Sequence, residues 1–213
     1  MTIGSRAHFL AVSLLHLICV CYPCTCPYKH PQTAVCGADW ALLGTVQSSQ
    51  NITGDDGKAK HKYEIYIIKV IKDKTSKLKH KSVTPVITPL DDCAVNIQKD
   101  SRSIFTGSFD GLGYATMTKC DWHEDYTEVP KCQRRNLFKK FYQKNCGCIV
   151  CLPGECPTDS TPHCVMRSSD DCDNKHSHCA LYSGCNKCSW RRCLSYYDCQ
   201  DSQEPVSIQD FVL

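Results

Sequence analysis

The chain has 213 residues, 19 of them cysteine, with 22% charged residues and a formal net charge of +3. That length gives room for one domain or a domain with a smaller companion. So small a positive charge gives no ground for a nucleic-acid partner, and the cysteine density argues for an oxidising compartment and against a cytosolic zinc protein.

In chain order, residues 1–23 read as a signal peptide. Arg6 supplies the positive start, and residues 9–21 form an apolar run too short to span a bilayer. No second apolar run follows, so the expectation is a secreted, extracellular protein with no membrane span. Signal peptidase favours small residues before its cut. A cut before Cys24 leaves Pro23 there, whereas a cut after Cys21 has the better pattern and leaves Tyr22 first. We expect the cut before Cys24, because the motif downstream is so well formed.

Residues 40–46 read as a first strand, followed by a polar, glycine-punctuated loop over 47–57 that holds the one sequon, at Asn51. Residues 63–71 form the clearest strand, with Tyr63, Ile65, Ile67 and Lys69 on one face and Tyr66, Ile68 and Val70 on the other. Lys58, Lys60, Lys62, Lys69, Lys72, Lys74, Lys77, Lys79 and Lys81 make this region basic. A solvated hairpin with lysine-blunted edges accounts for them; the sharper reading is a surface for sulfated glycans or matrix polyanions.

Residues 82–88 suggest a third strand, at an edge because of Pro85. Residues 103–109 and 114–118 make two more, joined by the hairpin signal Asp110-Gly111-Leu112-Gly113. Five short strands indicate a small barrel or sandwich, and periodicity does not choose between them. Residues 132–145 read as one helix packed on the sheet, with Leu137, Phe138 and Phe141 on one face. From Cys146 onward cysteines crowd together and apolar periodicity fades, so cross-links replace the core. His176-Ser177-His178, beside Cys172 and Cys179, could hold zinc but reads better as a solvated loop. The tail after Cys199 reads as mobile. No His-Glu-x-x-His or Gly-x-Ser-x-Gly pattern appears, so an enzyme is not expected.

The stretch that carries most information is Cys24-Thr25-Cys26-Pro27, then His30-Pro31-Gln32, Cys36 and Ala38-Asp39. It resembles the mature N-terminus of the tissue inhibitors of metalloproteinases. The resemblance implies a mainly β protein, with a five-stranded OB-type barrel, packed helices and a small disulfide-rich C-terminal subdomain. Boundaries follow at 24–146 for a netrin-like inhibitory domain and 147–213 for the cysteine-rich part.

It also implies the pairings Cys24–Cys93, Cys26–Cys120, Cys36–Cys146, Cys148–Cys188, Cys151–Cys156 and Cys164–Cys179. Five cysteines then fall outside the family's set. Cys172–Cys185 and Cys193–Cys199 are candidate local pairs, with Cys132 left over.

By the same resemblance, the α-amine and carbonyl oxygen of Cys24 chelate the zinc of a target metalloproteinase. Thr25 enters its specificity pocket, Cys26 and Pro27 continue along the cleft, and Asp91, Asp92, Cys93 and Ala94 line the other side. The protein then needs no cofactor of its own. The alternative is a non-inhibitory netrin-like module that binds glycan or matrix through its basic segment.

Overall fold

The computed structural model describes residues 24–167, 172–182, 184 and 186–203. The expected signal peptide, Cys185 and the tail from 204 onward lie outside the described residues. The N-terminal half contains α1 (Pro31–Gly37), β1 (Trp40–Thr53), β2 (Ala59–Asp73), β3 (Val83–Pro89), β4 (Arg102–Phe109), β5 (Ala115–Thr116), β6 (His123–Asp125), α2 (Lys131–Phe138) and α3 (Phe141–Lys144). The C-terminal half adds β7 (Ile149–Cys151), β8 (His163–Val165), α4 (Cys172–His176), β9 (Ser177–Tyr182), β10 (Lys187–Arg192) and α5 (Ser195–Gln203).

The strands run in the order β1-β2-β3-β5-β4-β6, and β1 also pairs with β4. The sheet is therefore a ring of five strands, with β6 added on the outside of β4. The fold is mainly β and OB-like. Strand β1 shows why the ring has two covered faces. Trp40, Leu42 and Val46 fill the interior with Ile65, Ile67 and Phe105. Ala41 and Leu43 point outward, under the helices, beside Val35, Leu137 and Tyr142.

The alternation expected for β2 breaks where β1 and β2 slip register. The slips leave Ile68 and Ile71 as extra residues, and each such bulge turns the following side chains to the opposite face. Val70 thus packs in the interior near Ile67, while Ile68 joins the outer cluster. Lys69 leaves the face of Ile67 and lies over the Phe138 ring, 4.6 Å from its centroid.

Other expectations are corrected. Residues 47–57 are not a loop: β1 and β2 continue as a long hairpin, reversed at residues 54–58, where Gly57 takes φ +73°. Asn51 consequently sits on β1, exposed, with its Oδ1 2.6 Å from His61 Nδ1. Strand β3 is not at an edge; β5 covers it, but only at Val86 and Ile87, so the strand tolerates Pro85 outside that pairing.

The single helix over 132–145 is two helices. Lys140 adopts φ +59° between them, which breaks the helical run. Phe141 then stacks on His178 of the C-terminal half instead of on the sheet.

The C-terminal half is built from two short strand pairs around Cys148, Val150, Cys164, Met166 and Cys179. Its bridges are Cys148–Cys188, Cys151–Cys156, Cys164–Cys179 and Cys172–Cys199. A further bridge, Cys132–Cys193, joins α2 to the residue after β10. The expected pairs Cys172–Cys185 and Cys193–Cys199, and an unpaired Cys132, are therefore wrong. Proximity along the chain misled: Cys132 is brought to Cys193 by α2 packing across the two halves, and α5 folds Cys199 back against α4.

Gly107 marks where the ring is tightest. A Cβ there would lie 2.2 Å from the Thr116 carbonyl oxygen and 2.4 Å from the Trp40 ring. Gly107→Ala should destabilise the fold by about 1–3 kcal/mol through overpacking, seen as a lowered melting temperature with disulfides intact.

Candidate functional site

Residues 24–30 form neither helix nor strand, and two bridges fasten them. Cys24–Cys93 ties the first of them to the turn after β3, and Cys26–Cys120 ties the third to the turn after β5. The first bridge spans 69 positions, and closing so long a loop is worth about 4 kcal/mol in the chain-entropy account. Thr25, Pro27, Asp91 and Asp92 are exposed, while Cys26, Cys93 and Ala94 are half-buried. The structure thus brings all the expected ridge residues side by side.

The two turns are themselves fixed. The Asp91 carboxylate accepts the Cys93 N–H at 2.8 Å, and its carbonyl accepts the Ala94 N–H at 2.9 Å. Asp is favoured at the first position of such a turn because its side chain can accept a nearby backbone N–H. Lys119 N–H donates to the Cys93 carbonyl at 3.0 Å, joining one turn to the other. Below them the buried Tyr63 hydroxyl donates to the Val95 carbonyl and accepts the Ile97 N–H. Sequence reasoning missed Tyr63 and Lys119. A tyrosine on an otherwise aliphatic strand face was the available signal, since a buried hydroxyl needs partners.

His30, Pro31 and Gln32 lie elsewhere. His30 Nδ1 accepts the Gln32 N–H at 3.0 Å and caps α1, whose first residue is proline. The Gln32 amide donates to the carbonyls of Asn145 and Cys179 and accepts the Cys179 N–H. It holds β9 much as a neighbouring strand would. Gln133 and Asn136 of α2 donate to the carbonyls of Asn174 and Ser177 in the same seam. Asp39 accepts from Lys74 Nζ and from the Phe109 N–H, and the Lys74 hydrogen bond holds its carboxyl below the usual range. Half of the N-terminal motif is therefore structural.

The lysines of the basic segment are largely engaged within the fold. Lys60 pairs with Asp56, Lys62 with Glu64 and Lys74 with Asp39. Lys72 donates to the carbonyls of Val35 and Cys36, and Lys69 and Lys77 lie over phenylalanine rings. The two histidines of His176-Ser177-His178 serve separate contacts, His176 with Ser195 and His178 with Phe141. The cysteine groupings close enough to hold a metal consist of disulfide sulfurs, joined in one case by His163, and such sulfurs are not thiolate ligands.

The sequence matches the family model described as "Tissue inhibitor of metalloproteinase" over residues 22–190. The chain belongs to that family. Relatives include human Metalloproteinase inhibitor 2, 26% identical over 216 residues and covering 90% of this chain and 93% of the relative. The chicken protein of that name is 26% identical over 226 residues, covering 95% and 94%. The dog protein is 26% identical over 214 residues, covering 90% and 93%. For this family member the match ends at Trp190's position and so takes in both the ridge and β9, the strand that Gln32 grips.

The seam also sets a pH dependence. Burial pushes the His30 imidazole down to about 3, against the Asn174 carbonyl, which pulls it up. Burial, then the charges of Arg135 and Arg191, push His178 down to about 4. An unfolded chain takes up these protons near pH 6.5 and the folded one does not, so stability is full above pH 6.5 and falls as pH drops below it. Between pH 6.5 and 5 each group should cost about 1–2 kcal/mol. The melting temperature should decline over that range. His30→Asn, which keeps a cap acceptor but no titrating ring, should start lower and decline less steeply.

Proposed function

We propose that this chain is a secreted inhibitor of zinc metalloproteinases that uses Cys24 to block the catalytic metal. Support for the coarse activity comes from the family and from relatives named as metalloproteinase inhibitors. Support for the mechanism comes from one observation: the bridges Cys24–Cys93 and Cys26–Cys120 fasten a segment that is neither helix nor strand to two braced turns, leaving Thr25 and Pro27 exposed. A segment already fixed in shape loses little entropy on binding, and affinity rises accordingly.

Catalytic zinc sites in proteases use three protein ligands and keep one position for water. In the proposed complex, the main-chain amine and carbonyl oxygen of Cys24 form a five-membered chelate on the protease's zinc and displace that water. The Cys24 sulfur takes no part, since it is bonded to Cys93. Thr25 enters the specificity pocket, Cys26 and Pro27 follow the cleft, and residues 91–94 line its other wall. This protein contributes no metal or cofactor; the zinc belongs to the target. An amine binds zinc only when neutral, and a free α-amine with pKa of about 8 is partly protonated at neutral pH. An amide nitrogen has no such lone pair. The mechanism therefore requires the chain to begin at Cys24 without acylation, which in turn requires export and removal of residues 1–23.

Intact mass and N-terminal sequencing of the secreted protein test this directly. A start at Cys24 should accompany stoichiometric inhibition of a matrix metalloproteinase. A start at Tyr22 with full inhibition would overturn the chelation. On the Cys24 form, Thr25→Gly should weaken binding at least tenfold, and by unequal factors across proteases with different pockets. Asp91→Ala should weaken it less, by loosening the turn that carries Cys93.

A further inference from the structure

The two bridges of the ridge touch each other. Cys24 Sγ lies 3.7 Å from Cys120 Sγ, although these atoms belong to different disulfides. The sulfurs of Cys24, Cys26 and Cys120 all lie within 4.8 Å of one another. These cysteines and Cys93 are only half-buried. A second apposition joins Cys148, Cys179 and Cys188, but there Cys148 is 4% and Cys179 0% exposed. Among the described residues, the ridge is thus the place where two disulfides are in contact and within reach of a thiolate from solvent.

We propose that the ridge is a thiol–disulfide exchange site, at which a low-molecular-weight thiol converts the pairing Cys24–Cys93 and Cys26–Cys120 into Cys24–Cys120 and Cys26–Cys93. The thiolate attacks Cys93 Sγ. The Cys24–Cys93 bond breaks, a mixed disulfide forms on Cys93, and the electron pair leaves on Cys24 Sγ. That thiolate already rests against Cys120 Sγ. It attacks there, the Cys24–Cys120 bond forms, and Cys26 departs as thiolate. Cys26 then attacks Cys93 Sγ in the mixed disulfide and releases the original thiolate. Two protein disulfides are present before and after, nothing is oxidised or reduced overall, and the thiol is a catalyst.

The backbone permits the exchange. The two receiving cysteines are held together by the Lys119–Cys93 hydrogen bond, so both stay in place. The segment that must shift, around Cys24 to Cys26, has no helix or strand to unmake. The product anchors Cys24 to the turn after β5 instead of the turn after β3, which removes the chelating residue from residues 91–94. That loss of inhibition rests on the inhibitor reading above; the exchange does not.

The test uses the full-length secreted chain, reduced glutathione below one equivalent at about pH 8, and an iodoacetamide quench. Tandem mass spectrometry can place the label on Cys24 or on Cys26. The expected trapped species carries glutathione on Cys93, the label on Cys26 and a Cys24–Cys120 bond. Inhibition should fall in proportion to the swapped fraction. Glutathione on Cys93 with the label on Cys24 would overturn the proposal, as would absence of any label at the four ridge cysteines with only the pairings Cys24–Cys93 and Cys26–Cys120 recovered. Cys26→Ser/Cys120→Ser, which retains the first bridge alone, should move the label to Cys24 and so confirm that the bridge is reachable. A chain that shows the swap but never inhibited would overturn the inhibitor reading and leave the exchange standing.

Discussion

A chain segment without a hydrogen-bonded ladder needs other ties to keep one shape, and residues 24–30 form neither helix nor strand. Cys24 and Cys26 are fastened to Cys93 and Cys120, so their placement depends on the two turns bearing those cysteines. The rest of the ring serves this need. Closure of β1 onto β4 fixes the turn after β5, and the long β1–β2–β3 stack fixes the turn after β3. Tyr63 hydrogen-bonds through its hydroxyl to the segment that leaves that turn, at Val95 and Ile97. The rigidity of an exposed, irregular segment is thus borrowed from a buried, regular one.

A second set of contacts joins the halves, and it is polar where a seam of this kind is often apolar. Gln32 makes three hydrogen bonds to main-chain atoms, and Gln133 and Asn136 make one each. The Gln32 amide matches both its donor and its acceptor at one geometry, and the Gln133 and Asn136 amides each place an N–H on a main-chain carbonyl. Hydrophobic surfaces could slide over one another; these cannot. The orientation of the C-terminal half is consequently set by side chains of α1 and α2, and α1 follows directly on the segment that carries the ridge.

Much of this was legible in the sequence, and the failures have physical causes. Strands β2 and β4 announced themselves through β-branched and aromatic residues, and the turn at Asp110-Gly111-Leu112-Gly113 through its glycines. The hairpin arms over residues 47–53 read as loop because both faces of an exposed ribbon are polar, which erases the period-two signal. The bulges at Ile68 and Ile71 were illegible because one extra residue inverts the faces without changing composition. Two cysteine pairs were misassigned because spacing records distance along the chain, whereas Cys132 reaches Cys193 through packing of α2 against the other half. The ridge itself was expected only through the family resemblance, since spacing alone gives no connectivity. The work of His30, Gln32 and Asp39 was not legible, because a motif shows which residues recur together and not which face they turn.

The Cys132–Cys193 link and the Gln32 grip on β9 have a consequence for the order of assembly. A ribosome delivers α1 and the whole ring long before β9 and Cys193 emerge. Until then Gln32, Gln133 and Asn136 face no main-chain partner from β9 or α4, and Cys132 stands as a free thiol among others seeking partners. The ring can close early, but its seam residues stay unsatisfied until the last fifth of the chain arrives. Maturation is therefore gated from the C-terminal end, and truncation near Cys146 would yield a ring whose seam remains hydrated and whose unmatched thiol is open to pairing with another molecule.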